Sequence, residues 1–262
     1  GDFVTICLPN MPQCVVAVYA VNRIGAVCNL VHPLSTKKEI ADAVRLCDSK
    51  VILTFEMNEG HAEGLGAQII RCATPEFFPK NPKGFVMKTV YRHSVRKAPK
   101  AAEVLLWHDV LQSGRDYLQT AELPKDTVRY EDTAAVMYTG GTTGEAKGVL
   151  LSNGAFNITT SSLIVMKVND RCHEHGAFLS VLPVFHAFGL AICIHAPLSC
   201  GMRMVLSPRF TPKDCANLVL KENIEILAGV PAMYERMYPL LKGHDLSFIQ
   251  HIVCGGDMVS AD

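Results

Sequence analysis

No apolar run in this 262-residue chain reaches the roughly 18 residues that a membrane-spanning helix needs. The most apolar region, 181–206, is interrupted by His186, His195 and Arg203 and reads as soluble core. Net charge is also missing: 25 Lys and Arg balance 25 Asp and Glu. That argues against general nucleic-acid binding, which needs a basic surface. Ten cysteines are present but no CxxC pair, and they are scattered through apolar runs, as at Cys7, Cys14, Cys28, Cys193, Cys200 and Cys254. They read as reduced, buried thiols of a cytoplasmic protein. No secretory signal, internal repeat or low-complexity tract is visible in these residues. The run from Arg171 to His175 is rich in metal-binding types but lacks a second ligand pair at metal-site spacing, so it reads as a polar connector. A hydrophobic content of 49% against 19% charged residues instead describes a well-buried chain, long enough for two subdomains.

What the sequence does hold is one stretch that core packing cannot explain. Residues 138–149 read Tyr-Thr-Gly-Gly-Thr-Thr-Gly-Glu-Ala-Lys-Gly-Val. A strand is expected before it, over 132–138, and another after it, over 148–152. The loop between them suits phosphate. Gly140, Gly141 and Gly144 let backbone N–H groups turn towards an anion. Thr139, Thr142 and Thr143 add hydroxyl donors, and Lys147 adds a positive charge. The Walker pattern GxxxxGK[ST] is not met, because Lys147 follows Ala146 and precedes Gly148. The loop also runs into a strand and not a helix. The bland alternative is a Gly/Thr hairpin turn.

The first third alternates strand and helix. Strands are expected over 3–8, 26–31 and 50–54. Between them lie an apolar, buried helix over 14–24, with Asn10 as N-cap and Pro12 in its first turn, and a helix opened by the capping box Thr36-Lys-Lys-Glu39. Such alternation marks a parallel sheet with crossover helices. Residues 80–100 are different. No acid occurs between Glu76 and Glu103, while seven Lys and Arg interleave with Phe85, Val86, Met87, Val90 and Tyr91. One reading is a patch that touches an anionic membrane or partner. The other is a solvated loop and short helix, the commoner fate of a basic run. A short helix follows over 107–111, and Ser152 is placed to cap another running to about 168.

The 138–149 stretch resembles the phosphate-binding signature of the adenylate-forming (AMP-binding) superfamily, Y-T-S-G-T-T-G-x-P-K-G-V. Gly140 stands where Ser is usual and Ala146 where Pro is usual; neither change removes a charge. Three more resemblances occur in the family's order. Leu8-Pro-Asn10 with Gly25-Ala-Val27 comes first. Pro183-Val-Phe-His-Ala-Phe-Gly189 is similar to P-x-F-H-x-x-G. Gly255-Gly256-Asp257, with Ser260, is similar to G-G-A-x-x-S. On residue pattern alone His186 would read as a packed core histidine.

The resemblance implies an α/β fold of two stacked, mostly parallel sheets flanked by helices, with one subdomain over 1–168 and a second, truncated one over 169–262. It implies an acyl-CoA synthetase of the long-chain fatty-acid–CoA ligase type, using ATP, Mg²⁺ and coenzyme A. The nucleotide would meet Thr139, Gly140, Gly141, Thr142, Thr143, Gly144, Lys147, Gly255, Gly256 and Asp257. Thr139 would also help ligate Mg²⁺, and His186 would serve catalysis. Amino-acid-activating relatives place an Asp near the P-x-F-H position. Here that stretch has no acid, and an amine left unpaired in an apolar site is costly. A fatty or other apolar acid is therefore expected. The family's later Y-G-x-T-E segment, ribose-binding Asp and lysine-bearing lid domain do not occur in these residues, and both ends look cut. The chain alone is expected to show little ligase activity. The alternative is a non-catalytic nucleotide-binding fragment or regulatory module.

Overall fold

The computed structural model describes residues 1–123, 125–139, 147–165 and 176–258. Two compact units make it up. The first comprises Gly1–Leu8 and Pro12–Leu151, the second Pro9–Met11 and Ser152–Asp262. The expected boundary at 168/169 and the 171–175 cluster lie outside the described residues.

The first unit is built on a seven-stranded sheet. Its strands are β1 (Phe3–Ile6), β2 (Val27–Leu30), β3 (Val51–Thr54), β4 (Gln68–Arg71), β5 (Leu105–Leu106), β6 (Thr133–Thr139) and β7 (Lys147–Ser152), in the order β5-β4-β3-β1-β2-β6-β7. From β5 through β6 every adjacent pair is parallel. Among the described residues five α-helices belong to it: α1 (Pro12–Arg23), α2 (Lys37–Cys47), α3 (Glu59–Ala62), α4 (Pro82–Ser94) and α5 (Trp107–Tyr117).

Local chemistry sets the helix ends. In α2 the Thr36 hydroxyl accepts from Glu39 N while Glu39 Oε2 accepts from Thr36 N at 2.7 Å, closing the expected capping box. The helix stops at Asp48, in the left-handed region at φ 48°. The α1 helix is half-buried and not buried all round: Val15, Val18 and Val21 face the core, while Val16 is 50% exposed. Only one side of a crossover helix can meet the sheet. Ile40 and Ile52, at most 1% exposed, pack with Cys7, Val31 and Ile69 in one core cluster of this unit. The α5 helix begins where expected, at Trp107, but continues to Tyr117.

The second unit holds four parallel strands: β8 (Ala177–Ser180), β9 (Arg203–Leu206), β10 (Ile224–Gly229) and β11 (His251–Cys254), in the order β11-β10-β8-β9. Around them are α6 (Asn153–Val165), α7 (Ala187–Leu190), α8 (Ala196–Ser199), α9 (Pro212–Glu222) and α10 (Pro231–Leu241), with a π-helical turn at Ala191–His195. Ala155 N donates to Ser152 Oγ at 3.2 Å, so Ser152 caps α6 as expected. Its core is made by Phe178, Leu179, Val219, Ile224 and Ile226. The chain is thus α/β, with mostly parallel sheets flanked by helices.

Candidate functional site

In the first unit, β6 delivers Thr139 at its carboxyl end and β7 begins with Lys147. Both residues are exposed. Gly140, Gly141, Thr142, Thr143 and Gly144 lie between them, outside the described residues. The end of β6 is tied down from below. Tyr138 Oη donates to Asn29 Oδ1 at 2.8 Å. Asn29 Nδ2 donates to Thr5 Oγ1 at 2.9 Å and to Ala43 O at 3.0 Å, and Thr5 Oγ1 donates to Ser49 Oγ at 2.8 Å. Asn29 and Thr5 are 0% exposed, so this chain of polar groups is sealed from water. Burial, with the Cys47 thiol nearby, holds the Tyr138 phenol well above its usual range, so it stays a donor. Gly148 packs beside the Tyr138 ring and Val136, where an added Cβ would lie 3.0 Å from Val136 Cγ1.

In the second unit the carboxyl ends of three neighbouring parallel strands meet one edge, where ligands of parallel sheets gather. The β8 strand leads to His186, β10 to Val230 and Pro231, and β11 to Gly255, Gly256 and Asp257. His186 is exposed and stands just before α7. Its backbone N donates to Pro183 O at 3.0 Å, and its ring lies 4.6 Å from the Phe185 ring, tilted by 51°. Phe188, two residues on, reaches the Gly255 turn, 3.4 Å from where a Cβ on Gly255 would stand. The turn is fixed on β10 by Gly255 N donating to Gly229 O at 3.2 Å, and by Tyr234 Oη donating to Val253 O at 2.7 Å. Gly256 has φ +84°, which a side chain would strain. The His186 segment and the Gly255–Asp257 turn, 69 residues apart by number, are therefore neighbours.

Asn10 differs from its expected role. Its side chain does not serve α1; it belongs to the second unit, where Nδ2 donates to Leu182 O at 2.8 Å and Oδ1 accepts from Val184 N at 3.0 Å. A 5%-exposed amide must satisfy itself with buried backbone, and the segment before His186 supplies it. Residue pattern alone does not mark Asn10, Asn29 or Tyr234 as site residues. The one signal in the sequence is an Asn placed inside an apolar strand, as in 26–31.

The described donor set fits phosphate in kind: a cation at Lys147 and a hydroxyl at Thr139, both open to solvent. It does not by itself make a metal site. Thr139 offers one hydroxyl, and no group of three or more His, Cys, Asp or Glu among the described residues could hold an ion.

A family model described as AMP-binding enzyme matches residues 1–262. The chain is 27% identical to the Long-chain-fatty-acid–CoA ligase of Bacillus subtilis (strain 168), over 97% of this chain and 46% of that ligase. It is also 27% identical to 3-[(3aS,4S,7aS)-7a-methyl-1,5-dioxo-octahydro-1H-inden-4-yl]propanoyl:CoA ligase of Mycobacterium tuberculosis (strain ATCC 25618 / H37Rv), over 99% of this chain and 48% of that ligase. Among solved structures it is similar to ATP-bound MatB from Rhodopseudomonas palustris, with TM-score 0.69 and 20% identity over 98% of this chain and 45% of that one. The inhibitor-bound N-terminal domain of FACL13 from Mycobacterium tuberculosis gives TM-score 0.69 and 20% identity, over 100% of this chain and 58% of that one. The structural likenesses speak to fold alone. The chain spans about half the length of the curated relatives it matches.

Proposed function

The chain belongs to the AMP-binding enzyme family, and from that premise we propose that it is the nucleotide-holding part of an acid–thiol ligase. An oxygen of a carboxylate substrate bonds to the α-phosphorus of ATP, and the bond to pyrophosphate breaks, leaving acyl-AMP. The thiol of coenzyme A then adds at the acyl carbon with loss of its proton, and AMP departs. Two anions must meet in the first step, so the protein's task is to screen charge and hold geometry. Lys147, Thr139 and the glycine- and threonine-rich residues 140–144 are read as the phosphate grip. His186 and the Gly255–Asp257 turn are read as lying beside nucleotide and acyl group. The observation that carries this reading is the pairing of an exposed Thr139 and Lys147 at the ends of β6 and β7, on either side of that stretch.

A fatty or other apolar acid is the favoured substrate. The segment 183–189 around His186 carries Val184, Phe185 and Phe188 and no carboxylate that could pair with an amine. The 262 residues by themselves are read as binding ATP with little or no turnover, because the Y-G-x-T-E segment and the lysine-bearing lid of the family are not among them.

Calorimetric titration of the chain with ATP tests the grip. Lys147→Ala removes one charge-assisted contact, worth about 1.5–3 kcal/mol, and is expected to weaken ATP by roughly tenfold to a hundredfold. Equal binding by both proteins, or none by either, overturns the assignment. In a chain extended to the relatives' length, ATP cleavage to AMP and pyrophosphate with a fatty acid and coenzyme A is the expected chemistry. Release of ADP would replace it with an ordinary ATPase reading.

A further inference from the structure

The α4 helix has one face that the fold explains and one that it does not. Asn81 caps it, with Gly84 N donating to Asn81 Oδ1 at 3.0 Å. Gly84 rests so closely on the Pro79 backbone that a Cβ there would overlap the Pro79 carbonyl. Two and three turns on, Tyr91 Oη lies 2.9 Å from Glu56 Oε2 and 2.8 Å from Thr74 Oγ1, and Val95, just past the helix, is 7% exposed. Residues 84, 91 and 95 share one side at helical spacing, and that side docks on the first unit.

The opposite side holds Phe85, Val86 and Val90, which are 74%, 60% and 63% exposed. Their spacing gathers them on one face with Thr89. Scattered exposed apolar side chains are ordinary, but three on one helix face, turned away from the core, form a patch that calls for an occupant. Along the chain, the charge next to it is of one sign. Lys83, Lys88 and Arg92 lie on the same helix, Arg96 and Lys97 follow it, and no acid occurs from 77 to 102.

We infer that the Phe85–Val86–Val90 face of α4 docks on the surface of an anionic lipid bilayer. An apolar strip bordered by cations matches the boundary between acyl chains and headgroups. The three apolar side chains enter the acyl edge while Lys83, Lys88 and Arg92 meet phosphates. The helix is short and lies on the surface, so it rests in the interface; no helix of the described residues is long and apolar enough to cross a membrane. This holds whatever reaction the chain serves.

Co-sedimentation of the 262-residue chain with vesicles tests it. Vesicles of phosphatidylcholine containing phosphatidylglycerol are expected to pull the chain down, more weakly as salt is raised, and pure phosphatidylcholine is not. The triple variant F85S/V86S/V90S and the charge variant K83E/K88E/R92E are each expected to lower partitioning about tenfold or more. Circular dichroism melting checks that both remain folded. Should either unfold, Phe85→Trp in a Trp107→Phe background reports directly. Its emission is expected to shift to the blue, and to be quenched by brominated lipid, only with anionic vesicles. A wild-type chain that stays in the supernatant overturns the inference, as does binding that neither variant weakens or an indole that does not respond. Binding of polyglutamate but not vesicles, lost in K83E/K88E/R92E, would assign the face to an acidic protein instead.

Discussion

The Tyr138 hydroxyl donates to Asn29 Oδ1 at 2.8 Å across the β2–β6 pair, one residue before the candidate phosphate grip begins at Thr139. Asn29 is 0% exposed, so no water can take the place of a lost donor. Tyr138→Phe is therefore expected to destabilise the chain by about 1–3 kcal/mol, the cost of a buried acceptor left unmade. Urea unfolding measures it, and a shift of only a few tenths would mean that the strand relaxes to let water in.

A similar debt attaches to Asn10. Its amide satisfies Leu182 O and Val184 N in the segment leading to His186. Asn10→Ala is expected to cost about 1–3 kcal/mol. It should also speed hydrogen exchange at the Val184 amide more than at the β8 amides, which the strand ladder still protects.

Two glycines near His186 should respond to a methyl group to very different degrees. At Gly189 a Cβ would collide with the Pro183 and Leu182 carbonyls, which are backbone and cannot step aside. At Gly255 it would meet only the Phe188 ring edge at 3.4 Å. Gly189→Ala is expected to lower thermal stability markedly, by about 2 kcal/mol or more, and Gly255→Ala by less than about 1 kcal/mol. Melting of the two variants side by side decides this.

Glu59 is a buried carboxylate, its side chain 1% exposed, with Arg71 Nη1 at 3.2 Å and Lys100 Nζ at 3.4 Å. Arg71→Met leaves it with the half-exposed Lys100 alone. The expected loss is about 3 kcal/mol, because a buried charge without its partner is worse than no charge. Adding Glu59→Gln should recover part of that loss. Strict additivity in the double-mutant cycle would show the pair to be uncoupled.

Burial pushes the Cys7, Cys14 and Cys193 thiols up from 9.0 to about 12. Their folded-state values lie above the unfolded ones, so the folded chain holds protons that the unfolded chain gives up. Their stabilising contribution is complete below pH 9 and is lost progressively as pH rises from about 9 towards about 12. Urea midpoints are expected to fall across that window. At pH 8 the exposed Cys254 should be modified by a disulfide reagent well before these three.

Periodicity made much of the fold legible. Strand and helix alternate visibly over the first 54 residues, and the Thr36-Lys-Lys-Glu39 capping box needs only four neighbours to form. Those features are local, so local reading suffices. Asn10 shows the limit. Beside Pro12 it has the composition of an N-cap, and only its burial, with carbonyls some 170 residues away, assigns it elsewhere. The basic segment shows another. Composition left a solvated helix and a membrane patch open, because it could not say which side of α4 would dock. Gly84 and Tyr91 settle that, and so leave Phe85, Val86 and Val90 outside.

The residue order alone determined the chemistry on offer: a run of glycines, threonines and one lysine that suits an anion, an apolar stretch around His186 without an acid, and a parallel α/β alternation. Those follow from side-chain type and from contacts within a few residues. Tertiary structure brought the Gly255 turn against Phe188, ran a sealed polar chain from Ser49 to Tyr138, and committed Asn10 to the backbone before His186. Each joins groups far apart in the chain. Parallel strands put their carboxyl ends on one edge only after every crossover has been made, and burial then decides which polar groups must find partners there.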